Sequence, residues 1–124
     1  MTAAPFSSTT SQIVSFAVSS ADAVVRVTAV GEVDSSSAPL LRTELETALD
    51  GGDLRELVVD LDGVTFLDSA GLSVLAGAHR RAAGRNVHLR VLASGRAVIR
   101  PLQITGLWDL LGAEQVEPGT GSAA

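Results

Sequence analysis

Apolar and polar residues alternate twice near the start of the chain. Over residues 13–18, Val14, Phe16 and Val18 fall on one side. Over residues 24–30, Val25, Val27 and Ala29 do the same, with Arg26 and Thr28 opposite them. Period-two alternation marks half-buried strands, and Ser20-Ala21-Asp22 between the runs reads as a turn, so an antiparallel hairpin is expected. Gly31-Glu32-Val33-Asp34 breaks the alternation. The period then becomes helical: Ala38, Leu41, Leu45, Ala48 and Leu49 line one stripe of a helix that starts at Ser37, a candidate N-cap. Pro39 suits its first turn, and Gly51-Gly52 ends it after about Asp50.

Leu57-Val58-Val59-Asp60-Leu61 is short and mostly apolar, as a central strand should be. Residues 62–68 read as a loop. A second helix is expected over 69–83, with a stripe of Leu72, Leu75, Ala76, His79, Ala82 and Ala83, closed by Gly84. Another strand follows over 87–92, with Val87, Leu89 and Val91 on one face. A short helix over 96–104 contains Pro101, which interrupts it or limits its length. A last helical piece over 105–111 and an edge strand over 113–116 complete the pattern. Residues 1–12 read as a flexible start and 117–124 as a disordered tail, leaving one domain over 13–116. The expected fold is α/β: a small mixed sheet of four or five strands with an N-terminal hairpin, and three or four helices mainly on one face.

Composition narrows the function. The chain has 124 residues, of which 46% are apolar and 19% charged, enough for one ordinary core. The aromatic share is 3%, leaving few rings to stack on bases. With no cysteine, disulfides, zinc ribbons and thiol catalysis are excluded. His79 and His88 are too few for a histidine metal site, and no metal or cofactor is expected. The formal net charge of −5 repels nucleic acid and anionic membrane, and points to a basic protein partner. No signal peptide or membrane-length apolar run is visible, so a cytoplasmic protein is expected.

The stretch from Leu61 to Leu72, LDGVTFLDSAGL, carries the candidate chemistry. A buried strand leads to a loop, and the loop ends at a helix N-terminus with Ser69 at or beside the first helical residue. Free N–H groups and the helix dipole favour negative charge there, so a phosphate on Ser69 could be stabilised locally. It would also place roughly −1.5 to −2 charge on a surface already acidic at Asp68, enough to reject a docked protein. On spacing alone, Asp followed by Ser before a helix reads first as a plain cap. No capping box accompanies it, because Gly71 and Leu72 stand three residues on.

The segment Val64 to Leu72 resembles the signature of anti-sigma factor antagonists in the STAS domain family, an apolar pair leading into Asp-Ser-(Ser/Thr/Ala)-Gly-Leu. Gly31-Glu32-Val33-Asp34 is similar to the family's Gly-Glu-(Leu/Ile)-Asp loop, Ser37-Ala38-Pro39-Leu40-Leu41-Arg42 to its first-helix start, and Thr105-Gly106-Leu107 to its late (Ser/Thr)-Gly-Leu. The resemblance implies a single STAS domain without catalysis of its own. Its unphosphorylated form binds an anti-sigma factor that is also a serine kinase and frees the sigma factor. Phosphorylation on Ser69 releases the kinase, and a serine phosphatase resets the switch. The implied partner surface comprises Glu32, Asp34, Asp68, Ser69, Ala70, Gly71 and Leu72. Ala70 stands where Ser or Thr is frequent, and Ser73 is a lesser alternative acceptor. Rival roles within the same fold are a STAS subunit of a transporter complex, a stressosome-type scaffold domain, or a binder of a small ligand, nucleotide or acyl chain, in a groove at the second helix.

Other signals read more plainly. His79 is a core-edge histidine, and His88 faces solvent. Asp60, Asp62 and Asp68 read as solvated loop carboxylates rather than a magnesium cluster. Ser69, Asp68 and a histidine do not form a triad, because adjacent Asp and Ser lack the geometry of orienter and nucleophile. Pro118-Gly119-Thr120-Gly121 has no following Lys or helix and is no P-loop. Arg80, Arg81 and Arg85 complement a helix dipole, and Trp108 is a packing residue.

Overall fold

The computed structural model describes residues 14–118. Residues 1–12, residue 13 at the start of the expected first strand and domain, and most of the expected tail, 119–124, lie outside the described residues. β1 (Val14–Ala21) and β2 (Val24–Val33) form the expected hairpin. Its turn is tighter than the sequence suggested. Ala21 pairs with Val24, so only Asp22 and Ala23 close the hairpin, and both have positive φ. Two left-handed residues give the turn a twist that matches the flanking strands.

β2 does not stop where the alternation breaks. It continues through Gly31 and Glu32 to Val33, with register irregularities between Thr28 and Val30 and between Gly31 and Glu32. Gly31 absorbs the irregularity at φ 118°, a backbone conformation that favours glycine.

α1 (Ala38–Leu49) follows, then β3 (Glu56–Leu67), α2 (Ser69–Gly84), β4 (His88–Ala93), α3 (Arg96–Ile104), α4 (Leu107–Leu110) and β5 (Glu114–Gln115). The sheet order is β1-β2-β3-β4-β5, and every pair after the first is parallel. Successive parallel steps in one direction across a sheet, each made right-handed, place their helices on one face. The core agrees. Leu41, Leu45 and Leu49 of α1, Val74, Leu75 and Ala78 of α2, and Val98, Ile99 and Leu102 of α3 share one apolar cluster. Val27, Ala29, Leu57, Val59, Leu61, Leu89 and Val91 of the strands belong to it too.

Two readings of the elements need correction. Residues 62–67, expected as loop, belong to β3, which runs on beside β2 to Leu67. The α2 stripe is also rotated: its buried residues are Gly71, Val74, Leu75, Ala78 and Ala82, whereas Leu72, Ala76 and His79 are half-buried and Ala83 is exposed. α3 passes through Pro101 and ends at Thr105, beyond which Gly106 turns left-handed at φ 79°. Trp108 packs against the core as expected.

Asp60 is not a solvated carboxylate. It lies in β3 on the side opposite Leu57, Val59 and Leu61, with its side chain fully buried, and Arg26 of β2 donates to its Oδ2 at 2.7 Å. Its Oδ1 accepts from the Asp62 N–H at 2.9 Å. A buried carboxylate is tolerable only with such partners. Arg26→Leu should therefore lower stability in urea unfolding by about 3 kcal/mol, the low end for a broken buried pair because Arg26 keeps some solvent exposure. The Arg26→Leu/Asp60→Leu double variant should recover most of the loss.

Candidate functional site

β2 and β3 finish side by side. Val33 pairs with Leu67, and the Asp68 N–H donates to the Val33 carbonyl at 3.2 Å. Both chains then leave the sheet at the same edge, one into Asp34-Ser35-Ser36-Ser37 and the other into Asp68-Ser69. The first turn of α2 sits on this junction. Gly71 is buried there, and a Cβ on it would lie 2.8 Å from Val33 Cγ1 and closer still to Leu67 Cδ1. Glycine is thus required by close approach, and its part in the site is steric: it lets α2 start directly against both strand ends.

Asp68 is the N-cap of α2. Its Oδ1 accepts from the Ala70 N–H at 2.9 Å and the Gly71 N–H at 3.3 Å. Ser69 follows as the first helical residue, with an exposed side chain. The expectation of local stabilisation for a phosphate changes accordingly. Two of the N–H groups at the helix mouth are already taken by the Asp68 carboxylate. A phosphate on Ser69 would stand beside that anion, and its charge would act mainly on whatever faces the surface.

The Asp34 loop is held by serines. Asp34 Oδ1 accepts from the Ser36 N–H at 2.9 Å, the Ser36 hydroxyl at 2.8 Å and the Ser37 N–H at 3.1 Å. The Ser37 hydroxyl donates to the Glu32 carbonyl at 2.7 Å and accepts from the Asp34 N–H at 2.9 Å. Ser37 stands at the N-cap position of α1 but makes no side-chain cap bond. It ties the loop back to β2 instead. The Ser36 hydroxyl and the Ser37 N–H hold the Asp34 carboxyl below its usual value. Glu32 is exposed, Asp34, Asp68, Ala70 and Leu72 are half-buried, and Ala70 and Leu72 pack on the core from its edge.

One neighbour carried no assignment in the sequence. Phe66 pairs with Glu32 across the strands and is 46% exposed. An apolar ring and the exposed Glu32 carboxylate thus stand side by side at the strand end. The signal was the run Val64-Thr65-Phe66-Leu67, whose alternation cannot say which of Phe66 and Leu67 faces in.

A family model described as Mlab, STAS domain matches residues 16–112. The chain belongs to the STAS domain family. Among curated proteins, the anti-sigma-B factor antagonist of Bacillus subtilis (strain 168) is 35% identical over 88 residues, covering 70% of this chain and 78% of the relative. The anti-sigma-F factor antagonist RsfA of Mycobacterium tuberculosis is 32% identical over 103 residues, covering 82% and 78%. A crystal structure of an anti-sigma factor antagonist from Mycobacterium paratuberculosis matches with a TM-score of 0.75 and 31% identity, covering 98% of this chain and 95% of that one.

Within this STAS domain the remaining candidates stand apart from the β2–β3 junction. Asp62 accepts from the Ser94 hydroxyl. His79 lies along α2 with neither ring nitrogen hydrogen-bonded, and His88 is exposed on β4. Among the described residues no group of three or more His, Cys, Asp or Glu side chains is placed to hold a metal ion.

Two measurements test this construction. Gly71→Ala should cost about 1–3 kcal/mol by overpacking against Val33 and Leu67, in urea unfolding, and should shift the amide resonances of both Ser69 and Asp34. The lowered Asp34 pKa means that its contribution to stability is complete above the ordinary value of 3.8 and is lost as the pH falls through the lower folded value. Asp34→Asn should therefore lose less stability than the parent protein between about pH 4 and pH 2, as followed by thermal unfolding.

Proposed function

We propose that this protein is an anti-sigma factor antagonist switched by phosphorylation of Ser69. In its unphosphorylated form it binds an anti-sigma factor that is also a serine kinase, and the sigma factor is freed. The observation that carries this reading is an exposed serine hydroxyl as the first residue of α2, beside the capping Asp68, with the Asp34 loop leaving the sheet at the same edge. Relatives of this chain bear the name anti-sigma factor antagonist across most of its length.

The mechanism follows from charge. Unmodified, the surface offers Glu32, Asp34 and Asp68 to a basic partner and Phe66 as an apolar anchor. The kinase supplies ATP and magnesium. The Ser69 oxygen attacks the γ-phosphorus, the bond to ADP breaks, and the hydroxyl proton passes to a base of the kinase. The STAS domain contributes no catalytic group. Phosphoserine then adds about −1.5 to −2 charge next to Asp68, where the N–H groups of Ala70 and Gly71 are already engaged. Attraction at the interface becomes repulsion and desolvation cost, and the partner leaves. A serine phosphatase returns the hydroxyl by hydrolysis. No described helix is long and apolar enough to cross a membrane, and the proposed exchange takes place in the cytoplasm.

With the cognate anti-sigma kinase, Ser69→Ala should bind within about threefold of the parent protein and resist release by ATP, while Ser69→Asp should bind at least roughly tenfold more weakly. Phe66→Ala should weaken binding by about tenfold or more without affecting the thermal midpoint. Equal affinities of Ser69→Ala and Ser69→Asp would remove the charge mechanism.

A further inference from the structure

The two edges of the sheet are built differently. β5 closes one with only two residues, and its Glu114 carboxylate is held by Arg90 of β4. β1 forms the other over eight residues, VSFAVSSA, and among the described residues no strand pairs with its outer side. A bare row of main-chain donors and acceptors recruits another strand, so proteins ordinarily blunt such an edge with a charged side chain, a proline or a bulge. β1 has none of the three. Its pairing with β2 runs from Val14 to Ala21 without a register shift. The lack of charge also extends beyond the strand. Asp22 is the first charged residue of a chain that carries nine arginines and 14 Asp or Glu.

The side chains of β1 suit a copy of themselves. Phe16 is buried in the core and Val18 packs half-buried at its rim, while Ser15, Ala17 and Ser19 alternate with them on the other face and are all small. Two identical strands pair antiparallel about a two-fold axis. With that axis perpendicular to the sheet, each face continues into the same face of the second copy, so opposed residues must point the same way. Setting Ala17 opposite Ala17 of the second copy places Phe16 opposite Val18 on the core face, twice, and Ser15 opposite Ser19 on the other. An aromatic ring facing a β-branched side chain is a favourable cross-strand pair. Moving the axis to Val18 would set Phe16 opposite Ser20 instead. Although each copy carries a net charge of −5, no like charges are opposed along the strands.

We propose that β1 is a self-association edge, through which two copies of this chain join antiparallel at Ala17 into one continuous sheet, five strands from each copy. Main-chain hydrogen bonds supply the affinity, and the Phe16–Val18 pairs fix the register. Because the joined strands run antiparallel, the two β2–β3 junctions lie at opposite ends of the combined sheet, and both Ser69 hydroxyls stay open to a partner. The inference goes beyond the proposed switch and does not depend on it.

The test is sedimentation velocity of the full chain over a range of about 5–500 µM, which brackets the affinity of a small interface. A single step from monomer to dimer is expected, with a Kd on the order of 10–100 µM, because one strand edge buries less than a standard interface. Ala17 is exposed, so Ala17→Lys should leave the circular dichroism and the thermal midpoint those of a folded protein. It sets like charges opposite each other at the axis and should weaken the dimer about tenfold or more. Thr43→Lys, on the exposed face of α1, should leave the dimer unchanged. In this cysteine-free chain, Ala17→Cys should form an intermolecular disulfide under mild oxidation well ahead of Thr43→Cys. The proposal is overturned if the full chain stays monomeric throughout, or if a dimer forms that Ala17→Lys does not weaken. It is equally overturned if the chain grows into particles larger than a dimer, or if Ala17→Cys and Thr43→Cys cross-link alike.

Discussion

The parallel pairing of β2 with β3 persists to Val33 and Leu67, and the rest of the site follows from that register. Because the two strands end level, the chain segments after them emerge together, so residues 34–37 and 68–69 share one edge although they are more than thirty positions apart in sequence. Gly71 makes the arrangement tight. With a side chain there, α2 would have to back away from Val33 and Leu67, and Ser69 with it. The position of the hydroxyl is thus set by backbone packing rather than by any bond the serine makes.

The junction also decides how charge acts. Asp68 satisfies two N–H groups of α2, and serines satisfy the Asp34 carboxyl. Both carboxylates are held by these bonds at the surface edge. A new phosphate at Ser69 has no vacant cap to fall into, so its energy is felt by a docked partner. The switch proposed above therefore adds charge to this surface and demands no rearrangement of the domain.

The hairpin, the helices and the succession of strands and helices along the chain were legible because alternation and helical spacing are carried by Val, Leu and Ile themselves. Three things were not. The end of β3 looked like a loop because Asp62, Gly63 and Thr65 carry no strand signal, and pairing with β2 supplies what local preference lacks. The α2 stripe was displaced toward Leu72 and His79 because Gly71, which faces the core, has no side chain to register on a hydrophobic pattern. Asp60 read as solvated because its partner Arg26 lies one strand away and far off in sequence. The site was legible chiefly through Asp68-Ser69-Ala70-Gly71-Leu72 and its family resemblance. The exposure of Phe66 depended on knowing which way the irregular end of β3 faced.

The central claim is that the junction presents Ser69, and no other hydroxyl, to an anti-sigma kinase. The direct measurement is intact-mass analysis with fragment mapping after incubation of the full-length protein with that kinase and ATP. One phosphate, carried by Ser69, is the predicted result. A phosphate found on Ser36, Ser37 or Ser73 with Ser69 unmodified would contradict the account.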